Sequence, residues 1–136
     1  MLASNLDKKK FENICIIDTN AKIGSKIKVS GGAKCNITNE LVTASNYLGD
    51  REFVAELLEK FSKNELLAFL NKNGVFPKIN PKIVKGTYFC NSSQDVIDMF
   101  TKLTTHVKKY LNTTVLDIDF DKHYKIKTDS KLIEAK

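Results

Sequence analysis

The sequence predicts an α/β fold that begins with a buried strand, continues through helices and ends in a small antiparallel sheet. The first observation is a continuous apolar run at residues 14–17, typical of a strand buried on both faces of a parallel sheet. The second is a group of segments between residues 49 and 112 whose apolar residues recur every three or four positions. The third is an alternation of apolar and polar residues from Leu116 onwards, which predicts paired strands.

The first thirty residues predict a short helix and two strands. Residues 1–10 start with helix formers and end in lysines, which suit the C-terminal end of a helix dipole, but the segment is too short for a complete crossover helix. The strand that follows ends at Asp18 and contains Cys15, which we expect to be a small core residue. The segment KIKVS predicts a second, brief strand directly before Gly31 and Gly32.

Two short helices are predicted between residues 49 and 74. In the segment DREFVAELLEKF, apolar side chains four positions apart share one face: Phe53, Leu57 and Phe61. In the segment SKNELLAFLNKNG, Ser62 and Glu65 have the spacing of a capping box. Gly74 is expected to terminate this second helix.

The second half of the chain predicts a loop, a long helix and a meander. Pro77 and Pro81 place their segment in loop or short strand. Ser92 or Ser93 is expected to cap the longest helix, which ends near Asn112. The last strands form a small antiparallel meander with turns at residues 121–122 and 129–130. Because there is no repeat or linker, residues 1–136 are predicted to form a single domain.

Composition restricts the classes of function. The chain has 136 residues and a net charge of +6, and Arg51 is its only arginine. Sequence-specific nucleic-acid binding usually depends on arginine, so the lysines indicate a general affinity for anions at most. No apolar run is long enough to cross a membrane and no secretory signal is present, which together predict a cytoplasmic protein without membrane contact. The three cysteines form no CxxC pair and are expected to be reduced thiols without a metal.

Few residues have the spacing of a catalytic motif. The glycines form neither a GxGxxG fingerprint nor a GxxxxGK loop. His106 and His123 are expected at the surface, and no catalytic residue can be assigned. Asp18 ends a strand where a dinucleotide-binding fold places its ribose-binding acid, about 20 residues after the glycine fingerprint. Counting back from Asp18 puts that fingerprint at or before Met1, so we expect the chain to start inside the first crossover helix.

The segment SKIKVSGGAKCNITNE is the most distinctive part of the sequence. Gly31 and Gly32 allow unusual backbone angles or a close approach to a ligand, and the amides that follow can hydrogen-bond to a polar ring or a phosphate. From these residues alone, the segment is either an elaborate turn or one wall of a binding site.

The longer stretch GSKIKVSGGAKCNITN closely resembles the signature of the aminoacetone oxidase type FAD-binding flavoproteins. This family of oxidoreductases also includes reductases of 3-dehydro bile acids. The matching positions are Gly24, Lys26, Ser30, Gly31, Gly32, Cys35, Asn36, Thr38 and Asn39. A second resemblance lies in GTYFCNSSQDVIDMF, through Gly86, Phe89, Ser92 and Val96. Ala33 and Lys34 stand where the family usually has Gly and Arg.

The resemblance implies a partial Rossmann-like FAD-binding domain with a helical segment and a small antiparallel β-meander. It also implies that Asp18 binds the adenosine ribose. The other implied cofactor-binding residues are Lys26, Ser30, Gly31, Gly32, Ala33, Lys34, Cys35 and Asn36, of which residues 30–36 line the flavin side. We assign Cys35 a packing or flavin-edge role and not a redox role, because no partner cysteine is expected near it.

The function that follows is a fragment of an FAD-dependent oxidoreductase. Such a fragment would contribute part of the FAD site without being catalytically competent alone, and it could arise from a truncated or a split gene. Its expected partners are FAD and the remaining part of the flavoprotein, with no specific nucleic acid. The alternative is a non-catalytic basic module that binds an acidic partner or nucleic acid through its lysines, and a third option is an inert remnant.

Overall fold

The computed structural model describes residues 1–7, 9–80, 82 and 85–136. The helices are α1 (Leu2–Asn5), α2 (Ser25–Val29), α3 (Arg51–Lys60), α4 (Lys63–Lys72) and α5 (Ser93–Leu103), with a 3-10 turn at Ala44–Asn46. The strands are β1 (Cys15–Ile17), β2 (Asn36–Asn39), β3 (Lys78–Ile79), β4 (Thr87–Phe89), β5 (Lys108–Tyr110), β6 (Val115–Asp121), β7 (His123–Thr128) and β8 (Leu132–Ala135). The chain divides into two compact units, one of Met1–Ser25 with Phe100–Lys136 and one of Lys26–Met99.

The first unit contains the predicted parallel pairing. Strands β1 and β5 are parallel, with Ile16 opposite Lys109 and Ile17 opposite Tyr110. The prediction that the first strand is buried on both faces is wrong, since none of its residues is buried and Cys15 is exposed. In the described residues this sheet has two strands, so β1 is paired along one edge only, and Cys15 lacks the helix cover that buries the faces of a parallel sheet.

The predicted end of the long helix is also wrong. Helix α5 starts at Ser93 as expected but stops at Leu103, and the chain enters β5 five residues later. The hydroxyl of Thr104 donates to the Phe100 carbonyl at 2.7 Å, which satisfies a carbonyl in the last turn of the helix. The Lys108 N–H then donates to the Ile14 carbonyl at 3.0 Å. Strand pairing with the start of the chain therefore overrides the helical period.

The meander is confirmed and it leaves an apolar face uncovered. Strands β6, β7 and β8 are antiparallel, with Ile118 opposite Ile126 and Phe120 opposite Tyr124. The first turn passes through Lys122, whose φ is +62°. Alternation in β6 places its apolar side chains on one side. They are exposed at 60% for Leu116, 60% for Ile118 and 63% for Phe120, so this face has no cover within the described chain.

The second unit begins with the two predicted short helices, and their caps are confirmed. One carboxylate oxygen of Asp50 accepts from the amides of Glu52 and Phe53 at the start of α3. Ser62 and Glu65 form the capping box of α4, with the Ser62 amide 2.6 Å from the Glu65 carboxylate. Gly74 follows α4 with a φ of +83°, the left-handed geometry that ends helices.

The core of the second unit includes residues of α4, β4 and α5, while α3 is exposed. Leu70 and Val75 are 2% and 4% exposed. In contrast, the apolar face of α3 is open, since Phe53, Leu57 and Phe61 are 60%, 48% and 42% exposed. The predicted amphipathic helix is therefore present, but its apolar face has no cover within the described chain.

Between these helices and α5 the chain forms short strands, as predicted. Strands β2, β4 and β3 make an antiparallel sheet in that order. Pro81 lies outside the described residues, whereas Pro77 directly precedes β3. This sheet joins the end of the two-glycine segment to the residues in front of α5.

Candidate functional site

The segment before the two glycines is a helix. The prediction of a strand for KIKVS is wrong, because α2 covers Ser25–Val29. The Ser25 hydroxyl donates to the Lys22 carbonyl at 2.9 Å, and the Ser30 amide donates to the Ile27 carbonyl at 3.2 Å. These local bonds satisfy the backbone without a neighbouring strand, and lysine is a good helix former. The alternation of lysine and apolar residues is too short to decide between the two structures.

A run of left-handed residues follows α2. The φ angles are +58° at Gly31, +60° at Gly32, +68° at Ala33 and +56° at Cys35. For residues other than glycine this conformation costs about 1–2 kcal/mol each, so surrounding contacts must hold it in place. The Cys35 amide provides one such contact, since it donates to the Ser30 carbonyl at 3.1 Å. The expected unusual backbone angles at the two glycines are confirmed.

The two-glycine turn, residues 31–34, is anchored to the start of α5. The amide of Cys90 donates to the Lys34 carbonyl at 3.0 Å, and the amide of Ser93 donates to the Ala33 carbonyl at 2.8 Å. Ser93 is itself buried, and its hydroxyl donates to the Lys28 carbonyl at 3.4 Å. The carbonyls of Ala33 and Lys34 therefore accept hydrogen bonds from backbone amides within the protein.

The outer side of the turn is open to a ligand. A Cβ placed on Gly32 would meet no atom within 4 Å. Among the residues that the structure describes, no group accepts a hydrogen bond from the N–H of Gly32 or Ala33. Successive amides in a turn form a concavity that favours anions and electron-rich atoms. The turn thus presents the N–H groups of Gly32 and Ala33 on an open side.

The cationic residues of the predicted site lie in exposed positions. Lys26 is in the first turn of α2, and Lys34 closes the two-glycine turn. Lys34 also lines a cavity of about 330 Å³ whose other walls include Lys78, Asn80 and Cys90. Two lysines at one cavity favour an anionic group, although neither provides the bidentate geometry of arginine.

The two asparagines of the signature have different surroundings. Asn36 is exposed and begins β2, with its side chain packed against Gly31. Asn39 is used inside the protein, since its amide nitrogen donates to the Thr87 hydroxyl at 3.1 Å and its oxygen accepts from the Leu41 amide. Asn39 therefore has a structural role, which agrees with its place outside the predicted site residues.

A second cavity was not predicted from the sequence. It has a volume of about 630 Å³ and mixes amide, hydroxyl and apolar walls, including Asn36, Thr38, Leu41, Asn46, Tyr47 and Thr87. Its residues come from β2, from the loop and 3-10 turn that follow β2, and from β4. The apolar residues in this otherwise polar segment are the feature of the sequence that could have indicated the cavity.

Asp18 lies in the first unit, at the C-terminal end of β1, as predicted. Its carboxylate accepts two hydrogen bonds at 2.8 Å on Oδ1, from the amide and the side chain of Asn20. The backbone bond from Asn20, followed by its side-chain bond, lowers the pKa of Asp18 below its ordinary value. Within the described residues no donor reaches Oδ2. Asp18 is therefore an ionised acceptor with one oxygen available.

The expectation that Cys35 has no cysteine near it is wrong. The Cys90 amide donates to the Cys35 carbonyl at 3.4 Å, and both side chains are buried. Burial raises the pKa of the Cys35 thiol. Burial, then the charge on Cys35 and that on Asp95, raise the pKa of Cys90 to about 11. Both thiols are protonated at neutral pH, and the pair was invisible to a search for nearby cysteines in the sequence.

His106 and His123 are exposed, as predicted. In the described part of the chain, no group of three or more His, Cys, Asp or Glu could hold a metal ion. None of the described helices has the length and apolar character needed to span a membrane.

Comparison with known proteins gives relatives of two kinds. The chain is 33% identical to the ribosomal RNA dihydrouridine synthase of Escherichia coli strain K12, over 73% of the chain and 24% of that protein. It is 27% identical to the protein of the same name from Haemophilus influenzae, over 91% of the chain and 30% of that protein. It is 39% identical to the 3-dehydro-bile acid delta(4,6)-reductase of Clostridium scindens, over 48% of the chain and 16% of that protein.

These matches cover less than a third of the length of each curated relative. The family model described as the HI0933-like protein Rossmann domain matches residues 1–136. The resemblance drawn from the two-glycine signature is thereby confirmed, and so is the Rossmann-like α/β fold class. The chain belongs to the HI0933-like Rossmann domain family, which is a family of FAD-binding proteins.

Proposed function

We propose that this chain forms part of the FAD site of a flavin-dependent oxidoreductase. The observation that carries the proposal is the two-glycine turn, which presents open amides at Gly32 and Ala33 and leaves the space above Gly32 empty. A flavin ring has carbonyl oxygens and ring nitrogens at its edge, and these accept hydrogen bonds. When bound, FAD would supply the capacity to carry a hydride, while the protein binds and orients it.

The predicted site residues can make different kinds of contact with FAD. The turn residues Gly31, Gly32 and Ala33 offer backbone amides and close approach, and Lys34 adds a positive charge beside them. Lys26 offers a second exposed cation in the same unit. Asn36 offers an exposed amide side chain, while Ser30 and Cys35 support the turn through the hydrogen bond from the Cys35 amide to the Ser30 carbonyl.

Asp18 is proposed to bind the ribose hydroxyls of FAD. An ionised carboxylate accepts from a hydroxyl more strongly than a neutral group does. The bonds from Asn20 keep Asp18 ionised and fix its orientation, and Oδ2 remains available to a hydroxyl. We expect the adenosine end of the cofactor to be recognised here.

Replacing Asp18 with asparagine tests this assignment. The variant keeps an oxygen for the Asn20 bonds but loses the charge, so the Kd for FAD should rise at least about tenfold, since a hydrogen bond to a charged group contributes about 1.5–3 kcal/mol. Flavin fluorescence during titration measures the Kd. The matched control is Asp129→Asn, which removes the same charge from an exposed turn and should leave the Kd unchanged. Equal Kd values for Asp18→Asn and the unmodified chain would contradict the assignment.

The chain alone is proposed to bind FAD weakly and to lack catalytic competence. The sequence contains no GxGxxG turn, and in dinucleotide folds the amides after that turn hold the pyrophosphate. We therefore treat residues 1–136 as one incomplete FAD-binding domain whose partner is the remaining part of the flavoprotein. The exposed apolar faces of β6 and α3 support this, because such faces are normally covered by further polypeptide. The three free thiols favour the cytoplasm as its location.

The names of the relatives suggest a reductive reaction for the complete protein. One relative is named for reduction of a bile acid and two for forming dihydrouridine in ribosomal RNA. We propose that the complete protein reduces its substrate with electrons carried by FAD.

An RNA-binding role is a second candidate, because two relatives are named for ribosomal RNA and the chain carries a net charge of +6. In that case RNA would bind through phosphate contacts, and its affinity would fall steeply as salt is raised. RNA binding that is insensitive to salt, or no binding at low salt, would remove this candidate.

A further inference from the structure

We propose that Cys35 and Cys90 form a redox-sensitive pair, which a peroxide converts into a disulfide that fastens the two-glycine turn to the end of β4. The inference concerns a covalent modification and does not depend on FAD binding. It follows from the pairing of two strands, from the burial of both thiols and from a cavity that leads to one of them.

The strand register places the two cysteines opposite each other. Strands β2 and β4 are antiparallel, and the pair at that end of the ladder is Asn36 with Phe89. One step further along each strand are Cys35 and Cys90, and the Cys90 amide donates to the Cys35 carbonyl at 3.4 Å. The backbone pairing of β2 with β4 therefore continues to Cys35 and Cys90 through this hydrogen bond.

This placement has the dimensions that a disulfide needs. The backbone hydrogen bond between Cys90 and Cys35 brings their main chains together just beyond the ends of β2 and β4, and disulfides join residues whose Cα atoms lie about 4.4–6.8 Å apart. Cys35 and Cys90 are 6% and 3% exposed, so both thiols lie in the same protein interior.

A small oxidant can reach the pair through the cavity of about 330 Å³ next to Cys90. Lys34, Lys78 and Asn80 give this cavity a polar entrance. Hydrogen peroxide is small enough to enter, whereas a protein thiol is not. Cys90 is therefore the first sulfur that the oxidant meets, and Cys35 is the one that resolves the product. Because burial raises the pKa of Cys90 to about 11, Cys90 reacts through its small thiolate fraction, and the reaction accelerates as the pH is raised.

The reaction balances with one peroxide. The Cys90 sulfur attacks one oxygen of hydrogen peroxide, the O–O bond breaks, and sulfenic acid and one water result. The Cys35 sulfur then attacks the sulfenic sulfur, its S–O bond breaks, and a second water leaves with the thiol proton. The two cysteines lose two electrons and two protons, which together are two hydrogen atoms, and the peroxide is reduced to two waters.

The disulfide would restrain the two-glycine turn to one backbone conformation. Lys34 already receives the Cys90 amide on its carbonyl, so the turn and β4 meet at this point. A covalent link there prevents residues 31–34 from separating from β4. It also closes a long loop, which restricts the unfolded chain more than a short loop would.

The test uses the full chain with Cys15→Ser, which removes the exposed thiol and with it disulfides between molecules. After peroxide treatment at about pH 9, we expect non-reducing digestion and mass spectrometry to find the peptides of Cys35 and Cys90 joined, with loss of two hydrogen atoms. Reduction with a small dithiol should separate them. The melting temperature of the oxidised chain should exceed that of the reduced chain by about 10 °C.

The matched control is the Cys15→Ser, Cys90→Ser double variant, which keeps the Cys35 thiol. It should show no joined peptide and no rise in melting temperature under the same treatment. The proposal is overturned if the Cys15→Ser chain, folded by circular dichroism, gives only singly oxidised cysteines or no reaction. It is equally overturned if the joined peptides appear only between two molecules, as a mass twice that of the chain would reveal.

Discussion

Replacing Gly31 with alanine is expected to lower the free energy of unfolding by about 3 kcal/mol, because the variant combines left-handed strain with an atomic overlap. The φ of Gly31 is +58°, which costs an alanine about 1–2 kcal/mol. In addition, the new Cβ would overlap with Oδ1 of Asn36 and lie 3.0 Å from the Asn36 backbone nitrogen. The side-chain oxygen can rotate away, but the backbone nitrogen is held by the chain. Urea unfolding of the two proteins measures the difference.

Gly32→Ala is the matched control for this prediction. Gly32 has almost the same φ, +60°, but a Cβ there would meet no atom within 4 Å. It should therefore lose only about 1 kcal/mol of stability, from backbone strain alone. Equal losses at the two positions would show that Asn36 does not pack against Gly31 as described.

Leu70→Ala is the second change with a large expected effect. Leu70 is 2% exposed on α4, and its truncation removes buried apolar surface and leaves a cavity. We expect a loss of about 3 kcal/mol in the free energy of unfolding. Thermal or urea unfolding, followed by circular dichroism, provides the measurement.

The control for Leu70 is Leu48→Ala. Leu48 is fully exposed, so the same chemical truncation should change stability by less than about 0.5 kcal/mol. A loss at Leu70 as small as that at Leu48 would mean that Leu70 is not part of the core of the second unit.

Local chemistry explains which elements could be predicted. Helix α4 was predictable because Ser62 and Glu65 satisfy the first amides within four residues of sequence, and Gly74 permits the angle that ends the helix. The meander was predictable because alternation has a period of two and its turns contain polar residues. In each case the deciding interactions lie within the segment.

The errors arose where distant residues decide the structure. The helical period continues past Leu103, but the backbone of residues 108–110 pairs with β1, about 90 residues earlier in the chain. Cys15 has an apolar neighbourhood in sequence and is nevertheless exposed, because no part of the described chain covers it and its sheet has only two strands in that part. Neither pairing nor sheet width can be obtained from local composition.

The candidate site could be predicted only in part, because distant residues also determine its backbone conformation. The two glycines predicted left-handed backbone, yet Ala33 and Cys35 adopt it as well, which no local preference indicates. Their conformation depends on anchoring by Cys90 and Ser93, more than fifty residues later in the chain. The pairing of Cys35 with Cys90 was missed because it is a consequence of that anchoring.

Amide NMR of the isotopically labelled chain during FAD titration shows directly whether the two-glycine turn contacts FAD. We expect the largest shifts at the amides of Gly32 and Ala33, with smaller shifts along the remaining turn. The same titration with Gly32→Ala should give smaller shifts and weaker binding, because the added methyl group occupies the open space. Shifts confined to lysines scattered over the surface, with no change at Gly32 and Ala33, would contradict this contact.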